Sequence, residues 1–174
     1  MSDLVVLGVD PGARQTGIVV RRGHELLTHI VVPRIDDSVA DYAKDVLRAC
    51  SVYEGQHLPT VVDDFNGLVA IEGVRPPSPH VRVIDVGPLL DACFVAGYVH
   101  AGMRIQGRPV VVVPPGGHGA GALSSYPAAL VSDAERRHGL TRAAGSSSVL
   151  RHCRAAYDVA VVGERLWRAG RVAS

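Results

Sequence analysis

The chain has 174 residues, of which 47% are hydrophobic and 20% are charged, and its formal net charge is +1. This length and composition are ample for one buried core and predict a single domain over residues 1–174. No apolar run is long and charge-free enough to span a membrane, and the N-terminus lacks the features of a signal peptide. We therefore expect a cytoplasmic protein without a membrane partner.

The three cysteines, Cys50, Cys93 and Cys153, fall inside predicted helices and lack CxxC spacing. This pattern is not typical of zinc ligands or of a disulfide framework. We expect reduced thiols in the core of a cytoplasmic protein.

The first predicted element ends on a carboxylate. The apolar run from Leu4 to Val9 suits a strand that is buried on both faces, and Asp10 follows it. Pro11 favours an extended backbone at Asp10, and Gly12 allows a sharp turn. Asp10 is therefore predicted at the rigid end of a central strand.

The next elements continue the sheet and add a helix. Thr16 to Val20 and residues 25–33 predict two strands that complete an antiparallel meander. Residues 36–38 supply helix-capping side chains, and apolar residues recur at helical spacing over residues 39–53. A further buried strand is predicted at residues 68–71.

Glu72 ends that strand, and the proline-rich loop 73–80 follows it. The loop is either a plain connector or a binding segment beside Glu72, with Arg75 as its main contact. Residues 84–103 then predict a helix that is apolar nearly all round, which is typical of burial on every side. One side would pack on the sheet, and either the monomer or a partner chain would cover the other. Gly97 would allow close helix approach.

Residues 110–113 predict another buried strand, and the Gly-rich loop 115–121 follows it. The loop lacks the lysine and hydroxyl of a nucleotide-binding P-loop, so no nucleotide cofactor is predicted. We expect a mobile loop. A short helix is predicted between Pro127 and Gly139, and a last helix over residues 149–169.

The last helix carries Asp158. On an ideal helix Arg154 and Arg151, four and seven positions earlier, share its face. His152 lies six positions before Asp158, about 120° away around the helix axis. It would reach the same site only from an irregular first turn, and otherwise it would cap the helix.

Charge is distributed unevenly along the chain. Residues 36–91 carry a net charge of −6, whereas residues 134–174 carry eight arginines against three acids, a net charge of +5. Most such runs are solvated surface. However, the basic segment surrounds Asp158, where it would attract a polyanion. Arginine supplies 17 of the 18 basic side chains, which suits bidentate phosphate contacts, and a bias in genome composition would equally produce this pattern.

Four stretches occur in an order that resembles RuvC-type Holliday junction resolvases of the RNase H-like nuclease superfamily. They are GVDPGARQTG at 8–17, LVAIE at 68–72, the helix at 84–103 and AAYDVAVV at 155–162. The resemblance covers nearly the whole chain and implies an α/β fold. Its RNase H-like mixed five-stranded sheet would have three antiparallel strands, then parallel ones, with flanking helices. We expect a phage or actinobacterial variant, with host or viral origin left open.

The resemblance also implies a metal site. Asp10, Glu72 and Asp158 would bind Mg²⁺, with Mn²⁺ able to substitute, and His152 is a further candidate catalytic residue. The family usually has Asp or His where this chain has Ala155, so a fourth ligand stays open. Divalent cations relieve the repulsion between such carboxylates. In two-metal hydrolysis, Asp10 would bridge the ions and water would displace the 3′ oxygen.

The predicted function is a Mg²⁺-dependent endonuclease that acts as a homodimer on branched DNA. It would resolve four-way junctions by paired symmetric nicks. The predicted DNA contacts are Arg14, Arg75, Arg151 and Arg154. The loop 73–80 and the Gly-rich loop 115–121 are expected at the DNA surface. An RNase H-like nuclease for flaps or RNA–DNA hybrids and a non-catalytic junction-binding protein stay open as alternatives. An actin-like kinase shares the Gly-x-Asp strand end, but its two lobes need a longer chain.

Overall fold

A computed structural model describes residues 4–57, 67–74, 86–139, 141 and 149–170. Within these ranges the strands are β1 (Val5–Asp10), β2 (Gln15–Arg22), β3 (Glu25–Pro33), β4 (Gly67–Glu72) and β5 (Val110–Val113). The helices are α1 (Val39–His57), α2 (Gly87–Ile105), α3 (Asp133–Arg137) and α4 (Leu150–Arg168). Two short 3₁₀ turns, Leu123–Ser125 and Ala128–Leu130, precede α3.

The five strands form one sheet in the order β3-β2-β1-β4-β5. β1 pairs antiparallel with β2 and parallel with β4, and β5 adds a further parallel strand beside β4. This confirms the predicted mixed sheet with three antiparallel strands followed by parallel ones. β1 lies at the centre and is paired on both sides as far as Val9, and Asp10 at its end pairs with Gly17 of β2.

The two faces of the sheet carry different helices. Along β1, Val5, Leu7 and Val9 point into a core shared with α1 and α2, whereas Val6 points into a second core with α4. This alternation follows from the two-residue period of a strand that is buried on both faces. None of the described helices is long and apolar enough to cross a membrane.

Glycines in β1 and β2 let α4 lie close to the sheet. A Cβ atom at Gly8 would stand 2.1 Å from the Ala156 carbonyl oxygen, and one at Gly17 would stand 2.2 Å from that of His152. No other residue fits at either position without moving the helix. This close approach brings the first half of α4 next to the end of β1.

Helix α2 is buried on one side only. Val95, Val99 and Met103 face the core. On the opposite side Leu90 is 62% exposed and Phe94 is 44% exposed. The expectation of burial on every side is therefore wrong for a single chain, since nothing in the described part of the chain covers this face.

The three cysteines differ in their surroundings. Cys50 and Cys153 are buried free thiols, as predicted, and burial raises the pKa of Cys153 to about 12. Cys93 is exposed, so the expectation of a core thiol is wrong at this position. It lies on the outward side of α2, one turn before Gly97. Apolar residues occur all round this helix, so its sequence does not indicate which side faces the core.

Candidate active site

Two carboxylates meet where neighbouring parallel strands end. Asp10 is the last residue of β1 and Glu72 the last of β4, and the register pairs Val9 with Ile71 just before them. Because the carboxyl ends of parallel strands share one edge of the sheet, both side chains emerge there. Both are partly buried.

Helix α4 brings His152 to the same edge. His152 Nδ1 lies 2.9 Å from Asp10 Oδ2, and Arg151 Nε donates to His152 Nε2 at 3.4 Å. Since Nε2 accepts, Nδ1 is the nitrogen that donates to Asp10. In the first turn of α4 the His152 N–H donates to the Val149 carbonyl oxygen, three residues earlier, at 3.3 Å. Among the described residues no side chain caps the start of this helix, so the capping alternative for His152 is not observed.

The Gly-rich loop after β5 binds Glu72. The backbone N–H of Gly116 donates to Glu72 Oε1 at 3.2 Å, and His118 Nδ1 lies 2.8 Å from the same oxygen. The strand β5 runs parallel to β4, so the loop leaves the sheet at the edge where Glu72 stands. The loop expected at a DNA surface is thus part of the acidic site itself.

The third carboxylate, Asp158, is held from the same loop and from the segment after it. The Gly119 N–H and the Tyr126 hydroxyl each donate to Asp158 Oδ2 at 2.8 Å. Gly119 has φ +77, and a Cβ there would stand 2.9 Å from the Arg151 oxygen. Glycine is required for both reasons, because the backbone is left-handed and close to α4.

Burial and charge perturb two of these groups. Burial raises the pKa of Glu72, and the nearby negative charge of Asp10 raises it too, while the contacts with His118 and Gly116 act in the opposite direction. Burial, followed by the hydrogen bond to Asp158, raises the pKa of Tyr126 to about 12. Tyr126 therefore remains a hydroxyl donor throughout the neutral range.

Each carboxylate uses one oxygen for protein contacts. Asp10 Oδ2, Glu72 Oε1 and Asp158 Oδ2 are engaged as described, while in the described part of the chain the second oxygen of each makes no hydrogen bond. This donor set fits a hard divalent cation, which prefers carboxylate oxygens. Among the described residues, however, no group of three or more His, Cys, Asp or Glu side chains is gathered closely enough to hold an ion. An ion would have to draw them together.

The predicted arginines fall in different places. Arg14 is exposed on the β1–β2 turn beside a cleft of about 570 Å³, and Arg151 is exposed next to His152. Arg154 is 0% exposed and binds both oxygens of Glu135 at 2.9 and 3.2 Å. The predicted DNA contact of Arg154 is therefore not retained, because its guanidinium is enclosed and already paired. Arg75 lies outside the described residues.

Solved structures share this architecture over nearly the whole chain. The structure of "T. thermophilus RuvC in complex with Holliday junction substrate" matches with a TM-score of 0.60 and 19% identity, covering 96% of this chain and 96% of that one. The chain has the RuvC fold. A second Thermus thermophilus RuvC structure gives a TM-score of 0.56 at 19% identity, over 95% and 96% of the two chains.

The resemblance predicted from the motifs is thus confirmed at the level of the RuvC fold. The sequence itself matches no family model and no curated protein. At 19% identity the likeness to RuvC concerns the fold alone, and the roles of individual residues remain predictions.

The sequence reasoning missed His118 and Tyr126. A signal for His118 was present, because its loop follows a strand predicted beside the one that ends at Glu72. Tyr126 had no comparable signal, since it belongs to a 3₁₀-rich segment whose path only the folded chain reveals.

Proposed function

We propose that this protein is a Mg²⁺-dependent endonuclease that resolves four-way DNA junctions. The observation that carries the proposal is that Asp10 and Glu72 end neighbouring parallel strands, and that the Gly-rich loop after β5 binds both Glu72 and Asp158. In the described part of the chain each of the three carboxylates has one oxygen engaged and one open. The RuvC fold supports it, because a structure of that fold has been solved with a Holliday junction substrate.

Asp10, Glu72 and Asp158 would hold the divalent cation, and Mn²⁺ would substitute for Mg²⁺. When bound, such an ion supplies charge stabilisation and an activated water for phosphodiester hydrolysis. Asp10 ends the central strand β1, next to the strand β4 that ends at Glu72, and Asp158 would join them from helix α4. His152 and His118 would fix the orientations of Asp10 and Glu72 and would leave one oxygen of each carboxylate available to a cation.

Arg14 and Arg151 are the described arginines proposed to contact DNA. Both are exposed, and they stand on the β1–β2 turn and on the first turn of α4, the two segments next to Asp10. Arginine binds phosphate oxygens with two parallel N–H groups, so two such side chains beside the site would fix the backbone to be cut. Arg75 is proposed as a further contact.

The proposed active form is a homodimer, because a junction has two strands to cut symmetrically. The exposed side of α2 supports this arrangement. Its exposed residues include Leu90, Cys93, Phe94, Gly97, Ala101 and Ile105, with Arg104 near the end of the helix. Their spacing forms one continuous stripe along the helix. Small residues at its centre allow a second backbone to come close. We also propose that the chain works as one nuclease domain in the cytoplasm.

A panel of labelled DNAs tests the proposed function. Four-way junctions, flaps, RNA–DNA hybrids and linear duplexes are incubated with the wild type in Mg²⁺, Mn²⁺ or EDTA. We expect paired nicks in the junction with either metal, and none in EDTA. Preferential cleavage of flaps or hybrids would replace the resolvase proposal with another RNase H-like nuclease. Tight junction binding without metal-dependent cleavage would indicate a binding protein.

A further inference from the structure

Tyr126 links the candidate active site to a buried scaffold that the family motifs do not include. Its hydroxyl donates to Asp158 Oδ2 at 2.8 Å and accepts from the Gly121 N–H at 3.2 Å. Its ring is 7% exposed and packs edge-on against Tyr157, with 6.3 Å between ring centroids. The hydroxyl thus has both a fixed donor and a fixed acceptor.

A buried ion pair holds the segment that carries Tyr126. Arg154 Nη1 donates to the Leu130 oxygen at 2.8 Å, and its guanidinium pairs with Glu135, which also forms the capping box of α3 with Ser132. The Arg154 guanidinium carbon lies 6.0 Å from the Tyr126 ring centroid. A fully buried pair with these partners constrains the path of the segment, since breaking it would leave a buried charge.

We propose that Tyr126 is a positioning residue for Asp158, and that the buried Arg154–Glu135 pair holds the Tyr126 ring in place. Together with the Gly119 N–H, the Tyr126 hydroxyl occupies Oδ2 of the carboxylate. The rotation of Asp158 is thereby restricted, and Oδ1 is the oxygen that remains for a cation. This inference rests on the proposed metal-dependent function.

Metal affinity distinguishes positioning from packing. In Tyr126→Phe the ring, its contact with Tyr157 and its position beside Arg154 are kept, and only the hydroxyl is lost. Tyr157→Phe is the matched control, because it removes a hydroxyl from the adjacent ring whose one hydrogen bond within the described residues is to the His24 carbonyl oxygen, at 3.4 Å. Both variants and the wild type are titrated with Mn²⁺ by isothermal calorimetry, without DNA.

We expect Tyr126→Phe to weaken Mn²⁺ binding by roughly tenfold or more, as is typical when an outer-shell partner is lost. The Mn²⁺ concentration for half-maximal junction cleavage should rise in parallel, while Tyr157→Phe matches the wild type in both measurements. Junction affinity in EDTA should be unchanged in both variants.

Three results would overturn the inference. Unchanged Mn²⁺ affinity in Tyr126→Phe would leave the hydroxyl without a positioning role, although the proposed function would stand. An equal loss in both variants would indicate general loosening of the tyrosine cluster. A wild type that binds no Mn²⁺ would overturn the proposed function and this inference with it.

Discussion

His118 Nδ1 lies 2.8 Å from Glu72 Oε1, although 46 residues separate them in the chain. Burial and the charge of Asp10 both oppose ionisation of Glu72, and the contact with His118 offsets part of their effect. The raised pKa of Glu72 means that its charged form is disfavoured in the folded protein. Such a site lowers the stability of the metal-free protein and serves a function that requires a bound cation.

Substitution of Glu72 should therefore stabilise the metal-free protein. A raised folded-state pKa contributes stability that is fully present below the unfolded pKa of Glu, about 4.3, and is lost as pH rises through the folded pKa. In EDTA, Glu72→Gln should melt at a higher temperature than the wild type at about pH 7, with the difference vanishing near pH 4 and below. Circular dichroism melts over this range measure the difference.

The exposed Glu25 provides the control, and Glu25→Gln should melt as the wild type does at each pH. Added Mg²⁺ should raise the melting temperature of the wild type and leave that of Glu72→Gln nearly unchanged. Equal melting temperatures of the wild type and Glu72→Gln at neutral pH would contradict the explanation that ionised Glu72 destabilises the metal-free protein.

Asp10→Asn should abolish cleavage while sparing DNA binding. The change keeps the side-chain volume and the contact with His152, but it removes the charge that a cation needs. We expect the junction-cleavage rate to fall by orders of magnitude, with junction affinity in EDTA unchanged. Gel-shift and single-turnover cleavage assays measure the two quantities separately.

Asp133→Asn is the matched control for this loss, because Asp133 is 83% exposed at the start of α3 and lies outside the carboxylate cluster. Its cleavage rate should equal that of the wild type. Nicking near the wild-type rate by Asp10→Asn would remove Asp10 from the proposed machinery.

Much of the fold followed from local pattern. The strand that ends at Asp10 and the strand that ends at Glu72 were predictable because buried strands are short apolar runs that stop at a charge. The mixed sheet was implied by the resemblance to RuvC-type resolvases. The strand order then determines that both carboxylates share an edge.

Side-chain partners were harder to predict. A helical wheel places Arg154 on the same face as Asp158, but it does not reveal that α3 covers that turn and supplies Glu135. For His118, spacing along the chain gives the edge of the sheet but not the path of a glycine-rich loop. Only the folded structure places its imidazole on Glu72.

His152→Ala should raise the metal requirement of cleavage. The imidazole donates to Asp10, and its loss frees that carboxylate to rotate. We expect the Mg²⁺ concentration for half-maximal cleavage to rise about tenfold or more, with little change in melting temperature. His138→Ala, at the exposed end of α3, should leave both quantities unaltered. If instead His152→Ala lowers stability and its Mg²⁺ titration overlays the wild type, His152 serves packing alone.

The exposed face of α2 predicts a dimer that Cys93 can report. Cys93 is the exposed cysteine among the three, and it stands one turn from Gly97. If two α2 helices cross near Gly97, a short bis-maleimide should link two chains through Cys93, and Cys93→Ser should abolish the product. Denaturing gels measure the yield. Absence of crosslinking at protein concentrations where sedimentation shows a dimer would place the interface elsewhere.

Gly97→Leu should break that dimer without unfolding the chain. A Cβ at Gly97 meets no atom within 4 Å in the single chain, so leucine fits the monomer, where it also favours the helix. Against a second helix the same side chain would overpack the contact, at a typical cost of about 1–3 kcal/mol. We expect sedimentation to shift toward monomer, circular dichroism to stay unchanged, and paired nicking of a junction to give way to single nicks.

Gly55→Leu on α1 is the matched control, because Gly55 is exposed with equally open space and lies off the proposed interface. A dimeric Gly97→Leu that still cuts both strands at the wild-type rate would exclude this face of α2 as the interface.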